Sequence, residues 1–214
     1  MIDAYAELQE HLGNAKERFV TEVEGATMKV LADSGLYRHL KFHLPKASWG
    51  WCEVVTWPDM LVLRGGLGCW AFTGVQDMTT FFREPEDIAR INPMSTESKL
   101  VPDGRESAAK MYDPGRAADY IRQTVAHHAD EHPDLAADVE SELFSTFSSA
   151  DLDTEKGLRE ALGRFEASHS ADYENVCFPV ETWDLYRYNP WFLLSCHVLP
   201  WAVSQYDTAL TPAS

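Results

Sequence analysis

The spacing of hydrophobic residues along the 214-residue chain changes twice. Over residues 3–32, Tyr5, Leu8, Leu12, Phe19, Val23 and Val30 fall near helical spacing, which predicts one helix, weakened at Gly13-Asn14 and stopped by Gly35 in the place of a C-cap glycine. The period then drops to two. Leu36, Arg38, Leu40, Phe42 and Leu44 take one side of a half-buried strand; Tyr37, His39, Lys41 and His43 take the other. "WCEVVTW" (51–57) and "MLVLR" (60–64) follow as strands about a Pro58-Asp59 turn. Gly65, Gly66 and Gly68 permit a second tight turn before "CWAF" (69–72). Asp77 suits the N-cap of a short helix over 77–83.

From 84 to 114 the chain is loop-rich, with Pro85, Pro93, Pro102 and Pro114; helical spacing returns over about 115–131, 133–147, 154–168 and 189–206, with Asp153 or Thr154 capping the third. These elements predict an α+β fold: a four-stranded antiparallel meander packed against an N-terminal helix, with a mainly helical C-terminal half. We expect a single domain over 1–214. The alternative is two subdomains, 1–100 and 111–214, joined near 100–114.

Four of the seven tryptophans (Trp49, Trp51, Trp57, Trp70) crowd into residues 49–70. An antiparallel sheet with one covered face needs large residues on that face. We therefore expect Trp51 or Trp57, with Trp70, to pack the first helix onto the sheet, and Trp49 to stay at the rim as an interface anchor. A nucleic-acid stacking platform needs a positive groove beside the rings; Lys41, Lys46 and Arg64 are too few to make one.

Charge sharpens the picture. The formal net charge is −16. That argues against direct nucleic-acid binding and favours basic partners. The acids gather late: residues 111–214 carry 18 acids against 6 bases. Between Arg122 and Lys156 there is no base, but there are nine acids: Asp130, Glu131, Asp134, Asp138, Glu140, Glu142, Asp151, Asp153 and Glu155. Within the 133–147 helix, Leu135, Val139, Leu143 and Phe147 form the buried face, and Asp134, Asp138 and Glu142 recur at the same spacing as an acidic stripe. Like charges so spaced cost roughly 0.2–0.5 kcal/mol per pair. The candidate partner-binding residues are therefore Asp130, Glu131, Asp134, Asp138, Glu140 and Glu142, with Trp49 as the aromatic anchor.

Other chemistry is weaker. "GGLG" (65–68) lacks either phosphate-loop spacing, and a hairpin turn explains it. His128-Ala-Asp-Glu131-His132 matches the inverted zincin motif, in which His128 and His132 would bind zinc and Glu131 would act as base. However, Pro133 ends the helix at once and no third ligand is evident. The four cysteines (Cys52, Cys69, Cys177, Cys196) form no CxxC pair and read as reduced thiols. "MIDAYAELQEHLG" lacks the apolar region of a signal peptide. "PWFLLSCHVLPWAV" (190–203) is shorter than the roughly 20 residues a span needs. We expect a cytoplasmic protein with no cofactor, metal or membrane partner.

"YRHLKFHLPKASWGWCEVVTWPDMLVLRGGLGCWAFTGVQDMTTFFR" (37–83), "INP" (91–93), "SKL" (98–100) and "WDLYRYNPWFLLSCHVLPWAVSQYD" (183–207) together resemble a group of small phage and prophage accessory proteins, mostly without an assigned function. The resemblance covers about half of the chain and carries no catalytic residue. It departs at Gly65-Gly66, where Gly-Asp is expected, and at Met94-Ser95, where an aromatic pair is expected. It implies a phage or mobile-element origin and a cytoplasmic role in the host bacterium. Joined to the charge, it implies a non-enzymatic inhibitor of anti-defence type, for example an anti-CRISPR, seated on a basic, nucleic-acid-handling host protein. The alternatives are a zinc-dependent hydrolase using the HxxEH motif and a phage structural or assembly protein. The sequence leaves the oligomeric state open.

Overall fold

The computed structural model describes residues 4–83, 92–101, 108–146 and 152–211. Pro85, Ile91, Pro102, Phe147 and Asp151, which enter the sequence reading, lie outside them. The chain divides into two compact units: Met1–Ala109 with Tyr188–Ser214, and Lys110–Arg187. The boundary falls within 100–114, but the last helix returns to the first unit.

In the first unit, helix α1 (Ala4–Glu22) stops ten residues short of the predicted end. Thr27-Met-Lys-Val-Leu instead enters strand β1 (Thr27–Ser34), and the sheet has five strands rather than four. Gly35 explains the difference. Its φ of +63° serves the tight turn from β1 into β2 (Tyr37–His43) rather than a helix C-cap. Both structures need a residue with positive φ, so glycine alone does not distinguish them. β3 (Trp51–Trp57), β4 (Met60–Gly65) and β5 (Gly68–Thr73) complete an antiparallel meander in sequence order. Helix α2 (Met78–Arg83) follows. The Asp77 carboxylate caps it, accepting from the Thr79 N–H at 3.1 Å. A short helix α3 (Pro93–Glu97) is capped by Asn92.

The last helix, α7 (Pro190–Leu210), is apolar nearly all round. Asn189 caps it, accepting from the Trp191 N–H at 2.9 Å, and Pro190 sits at the first helical position, where no N–H is missed. Phe192, Leu193, Leu194, Val198, Leu199 and Val203 are buried. They share one core with Leu40, Phe42, Val54, Leu61, Leu63 and Phe72 of the sheet and Phe19 of α1. A helix apolar on every side must be buried on every side. Trp70 lies edge-on to Phe192 at 5.4 Å, and Phe42 lies 5.0 Å from Trp201.

Trp49 is buried at 5% exposure, and its indole N–H donates to the Glu22 carboxylate at the end of α1. Arg18 donates to the same carboxylate at 3.0 Å. The rim position expected of Trp49 is therefore wrong. A buried indole N–H needs an acceptor, and Glu22 supplies one inside the unit. Trp51 and Trp57, by contrast, are exposed, at 41% and 37%. The tryptophans that join the core are Trp49 and Trp70.

The second unit holds α4 (Pro114–His127), α5 (Leu135–Val139) continuing as a π-helical stretch (Glu140–Thr146), α6 (Glu155–Ser168) and a 3₁₀ turn (Val180–Thr182). Asp113 caps α4 and Thr154 caps α6. Short strands β6 (Lys110–Tyr112) and β7 (Tyr186–Tyr188) pair where the chain passes between units. The core joins Ile121 and Val125 of α4, Leu135, Val139 and Leu143, and Leu158, Leu162 and Phe165 of α6. Buried Arg116 holds the returning chain, donating to the Asp184 carboxylate and the Tyr186 carbonyl, both at 2.8 Å. Among the described residues, no helix is long and apolar enough to cross a membrane.

Two predictions follow from the first unit. A Cβ at Gly66 would fall 2.3 Å from the Trp49 carbonyl oxygen and 2.6 Å from its Cβ. Gly66→Ala is therefore expected to cost about 2 kcal/mol as the turn is pushed off the 49–51 loop, measured by urea unfolding. His197, in the middle of α7, is 3% exposed and stacks on Phe19 at 5.6 Å. Burial, with Lys16 adding repulsion and only weak help from the Leu12 backbone, pushes its pKa down to about 4. Its folded pKa lies below the ordinary value near 6.5. Its contribution is thus complete above that pH and is lost as pH falls toward 4, by on the order of 3 kcal/mol. Hydrogen exchange of α7 amides from pH 8 to 4.5 should show this loss, and His197→Phe should remove that part of it.

Candidate functional site

The acidic stretch of the second unit runs from the end of α4 through the π-helical stretch. Its apolar residues face inward as predicted, with Leu135, Val139 and Leu143 buried. The stripe beside them is not uniform. The Asp138 carboxylate accepts from the Tyr173 O–H at 2.5 Å. Glu142 bonds the His169 ring at 2.8 Å. These two acids tie the α5 segment to the chain that follows α6. Asp130, Glu131, Asp134 and Glu140 are exposed. Thus the outward-facing acids are Asp130, Glu131, Asp134 and Glu140, while Asp138 and Glu142 fix the segment that carries two of them. A π-helical stretch is rare and often marks a functional segment.

His169, beyond the end of α6, is the pivot of this arrangement. Its bond to Glu142 raises its pKa, with Asp138 and Asp172 adding to the effect against the opposing cost of burial. Asp172 stands 3.5 Å from the other ring nitrogen. The ring packs against Phe165 at 4.7 Å and Tyr173 at 5.5 Å. No spacing rule in the sequence connects residue 142 with residue 169, so this pairing was not legible there.

The HxxEH residues lie at the end of α4 rather than inside a helix. His128 is the C-cap, and the His132 N–H closes one further turn onto the His128 carbonyl at 2.9 Å. The two rings are 6.3 Å apart, and the His132 and Tyr173 rings form a T-shaped pair at 5.3 Å. Glu131 is exposed. Among the described residues, no group of three or more His, Cys, Asp or Glu side chains is placed to hold a metal ion. Burial pushes the thiols of Cys52 and Cys196 up to about 12, which keeps them protonated; Cys69 and Cys177 are exposed and free.

A second surface escaped the sequence reading. The sheet of the first unit has an outer face opposite its core, and the register sets its rows. One row pairs Lys29, Lys41, Glu53, Arg64 and Cys69 across the five strands. The next row inward sets Val55 beside Val62 and Val62 beside Ala71. Trp51, Trp57 and Tyr37 project from the same face. Glu53 is 5% exposed and meets Arg64 at 2.7 Å, His39 at 3.2 Å and Lys41 at 3.4 Å. Arg64 foremost, then His39 and Lys41, hold its carboxyl below the usual range despite its burial. The alternation of 51–57 against core residues Cys52, Val54 and Thr56 was the available signal. It places Trp51 and Trp57 on the face opposite the core.

No protein family, curated protein or solved structure matches the chain.

The His169–Glu142 pair makes a pH prediction of opposite sign to that of His197. Its folded pKa is raised, so its contribution is complete below the ordinary value near 6.5 and is lost as pH rises through the folded value. We expect the second unit to lose about 0.5–1 kcal/mol over that window, the scale of a pair with one half-exposed partner. Hydrogen exchange of α5 and α6 amides checks this. A His169→Gln protein whose exchange keeps the full alkaline decline would assign that decline to another group.

Proposed function

We propose that the protein is a non-enzymatic binding protein that seats the acidic surface of its second unit on a basic surface of a host protein that handles nucleic acid. The observation that carries this reading is the fixed acidic segment. Asp130, Glu131, Asp134 and Glu140 are exposed in a run with no Lys or Arg from 123 to 146, and Asp138 and Glu142 are bonded inward to hold it. The unit as a whole, residues 110–187, carries seventeen acids against seven bases. A concentrated field of one sign speeds encounter with a surface of the opposite sign and disfavours other partners. A basic groove that normally holds phosphate is such a surface, and a protein that fills it excludes the nucleic acid.

This reading makes the chain an inhibitor or modulator acting by occupancy, in the cytoplasm of a host bacterium. The resemblance of 37–83 and 183–207 to phage accessory proteins supports an anti-defence role, for example of anti-CRISPR type. The partner's basic surface supplies the specificity, and no bond is made or broken.

The test uses reversals that leave the Tyr173–Asp138 and His169–Glu142 bonds intact: Asp130→Lys, Glu131→Lys and Asp134→Lys together. Wild-type protein is expected to recover a nucleic-acid-handling protein from host lysate, and the triple variant is not. With the purified pair, the variant should bind at least roughly tenfold more weakly, with a shallower dependence on salt. Equal affinity and equal salt dependence in both proteins would refute the reading. Asp138→Lys is the wrong probe, because it also releases Tyr173.

A further inference from the structure

We propose that the outer face of the five-stranded sheet is a second docking surface, and that its occupant is an acidic protein segment with an apolar centre. This does not rest on the acidic surface of the other unit.

Three observations carry the inference. First, the face presents Tyr37 at 60% exposure, Trp51 at 41% and Trp57 at 37%. Large rings this exposed, beside an arginine, are the residue types that dominate binding energy at protein interfaces. Second, Val55, Val62 and Ala71 form an apolar strip between them, each only partly buried. Third, the charge on this face opposes that of the whole chain. Its Lys and Arg residues are Lys29, Lys41 and Arg64, and its one carboxylate, Glu53, is buried among them. In a chain whose net charge is −16, this face is net positive even after Glu53 is counted, which suits an anionic partner.

The anionic occupant is a protein segment rather than a nucleic acid or a second copy. Nucleic-acid affinity scales with the cations that engage phosphate. Three cations set against the Glu53 carboxylate leave too little net charge here to hold a phosphate backbone, though enough to meet one or two acidic side chains. Trp51 and Trp57 stand at opposite ends of a seven-residue strand, on the order of 20 Å apart, too far for successive bases to stack on both. A second copy carries the same large negative charge, which keeps copies apart. A segment with Asp or Glu side chains and an aliphatic or aromatic centre meets all three features of the face. Its acids reach Lys29, Lys41 and Arg64, and its apolar residues lie on the valine strip between the rings.

The test is selection of short displayed peptides on the full-length protein, followed by affinity measurement of synthetic versions. Recovered peptides are expected to combine Asp or Glu with Leu, Phe or Trp. Their affinity should fall roughly tenfold in Trp57→Ser and Tyr37→Ser and severalfold in Lys29→Glu, with no change in Asp134→Lys. Lys29 and Tyr37 are exposed, so those variants report on binding even if Trp57→Ser folds poorly. Recovery of no such peptide, or of peptides indifferent to all three sheet variants, overturns the proposal. Tighter binding of an oligothymidylate, or salt-sensitive dimerisation lost in Lys29→Glu, overturns it in favour of those occupants. Because the acidic unit is untouched by these variants, failure here leaves the basic-partner reading standing.

Discussion

The first unit depends on one constraint: over residues 192–203, α7 has no polar side to show to water. Twelve of its twenty-one residues are buried, from Phe192 to Tyr206. Such a helix cannot be stable on a surface and cannot be half-covered. The core face of the sheet, α1, α2 and α3 all pack against it or share its core. The chain must therefore return to the first unit after 187, and the second unit is an excursion between α3 and α7. Tyr206 shows how the far end is tied. Its hydroxyl donates to Asp33 at 2.9 Å while Arg38 lies over its ring. Arg38 in turn forms two 3.0 Å bonds with Asp77, at the start of α2. The last helix, the first hairpin and α2 thus share one polar cluster.

The same constraint explains which face of the sheet is bare. A sheet has two faces, and this one spends Leu40, Phe42, Val54, Leu61, Leu63 and Phe72 on the core it shares with α7. With that face taken, the other is left to Trp51, Trp57, Tyr37 and the cations around Glu53. Burying Glu53 at 5% exposure is tolerable only because three cationic or ionisable partners converge on it. That arrangement gives a sheet face with a fixed charge pattern rather than a loose fringe of lysines.

The sequence made the α+β class, the meander, the caps at Asp77 and Thr154 and the apolar nature of α7 legible. Each of those signals has one physical meaning: alternation buries one face, and a carboxylate or hydroxyl before a helix takes its first N–H groups. What failed were signals with two meanings. Gly35 suits a C-cap or a hairpin, so the helical spacing over 3–32 predicts helix where β1 stands. A tryptophan suits core or rim, and only Glu22, an acceptor 27 residues away, settles Trp49 as core. The acidic stripe was legible as spacing, but its division into holding and outward acids was not, because Tyr173 and His169 come from a distant segment.

That division explains how three like charges at helical spacing persist. Their mutual repulsion costs a few tenths of a kcal/mol per pair. A hydrogen bond to a charged group contributes about 1.5–3 kcal/mol when buried, and less where solvent reaches it. Asp138 and Glu142 each have such a bond, so the stripe is stable although residues 123–146 contain no lysine or arginine. A purely solvated helix would relieve the repulsion more simply by mixing signs along its surface. Here the relief comes from inside, through Tyr173 and His169, and the outer side of the segment stays acidic. The fold thus keeps a negative surface along this segment while satisfying, from within, the acids that support it.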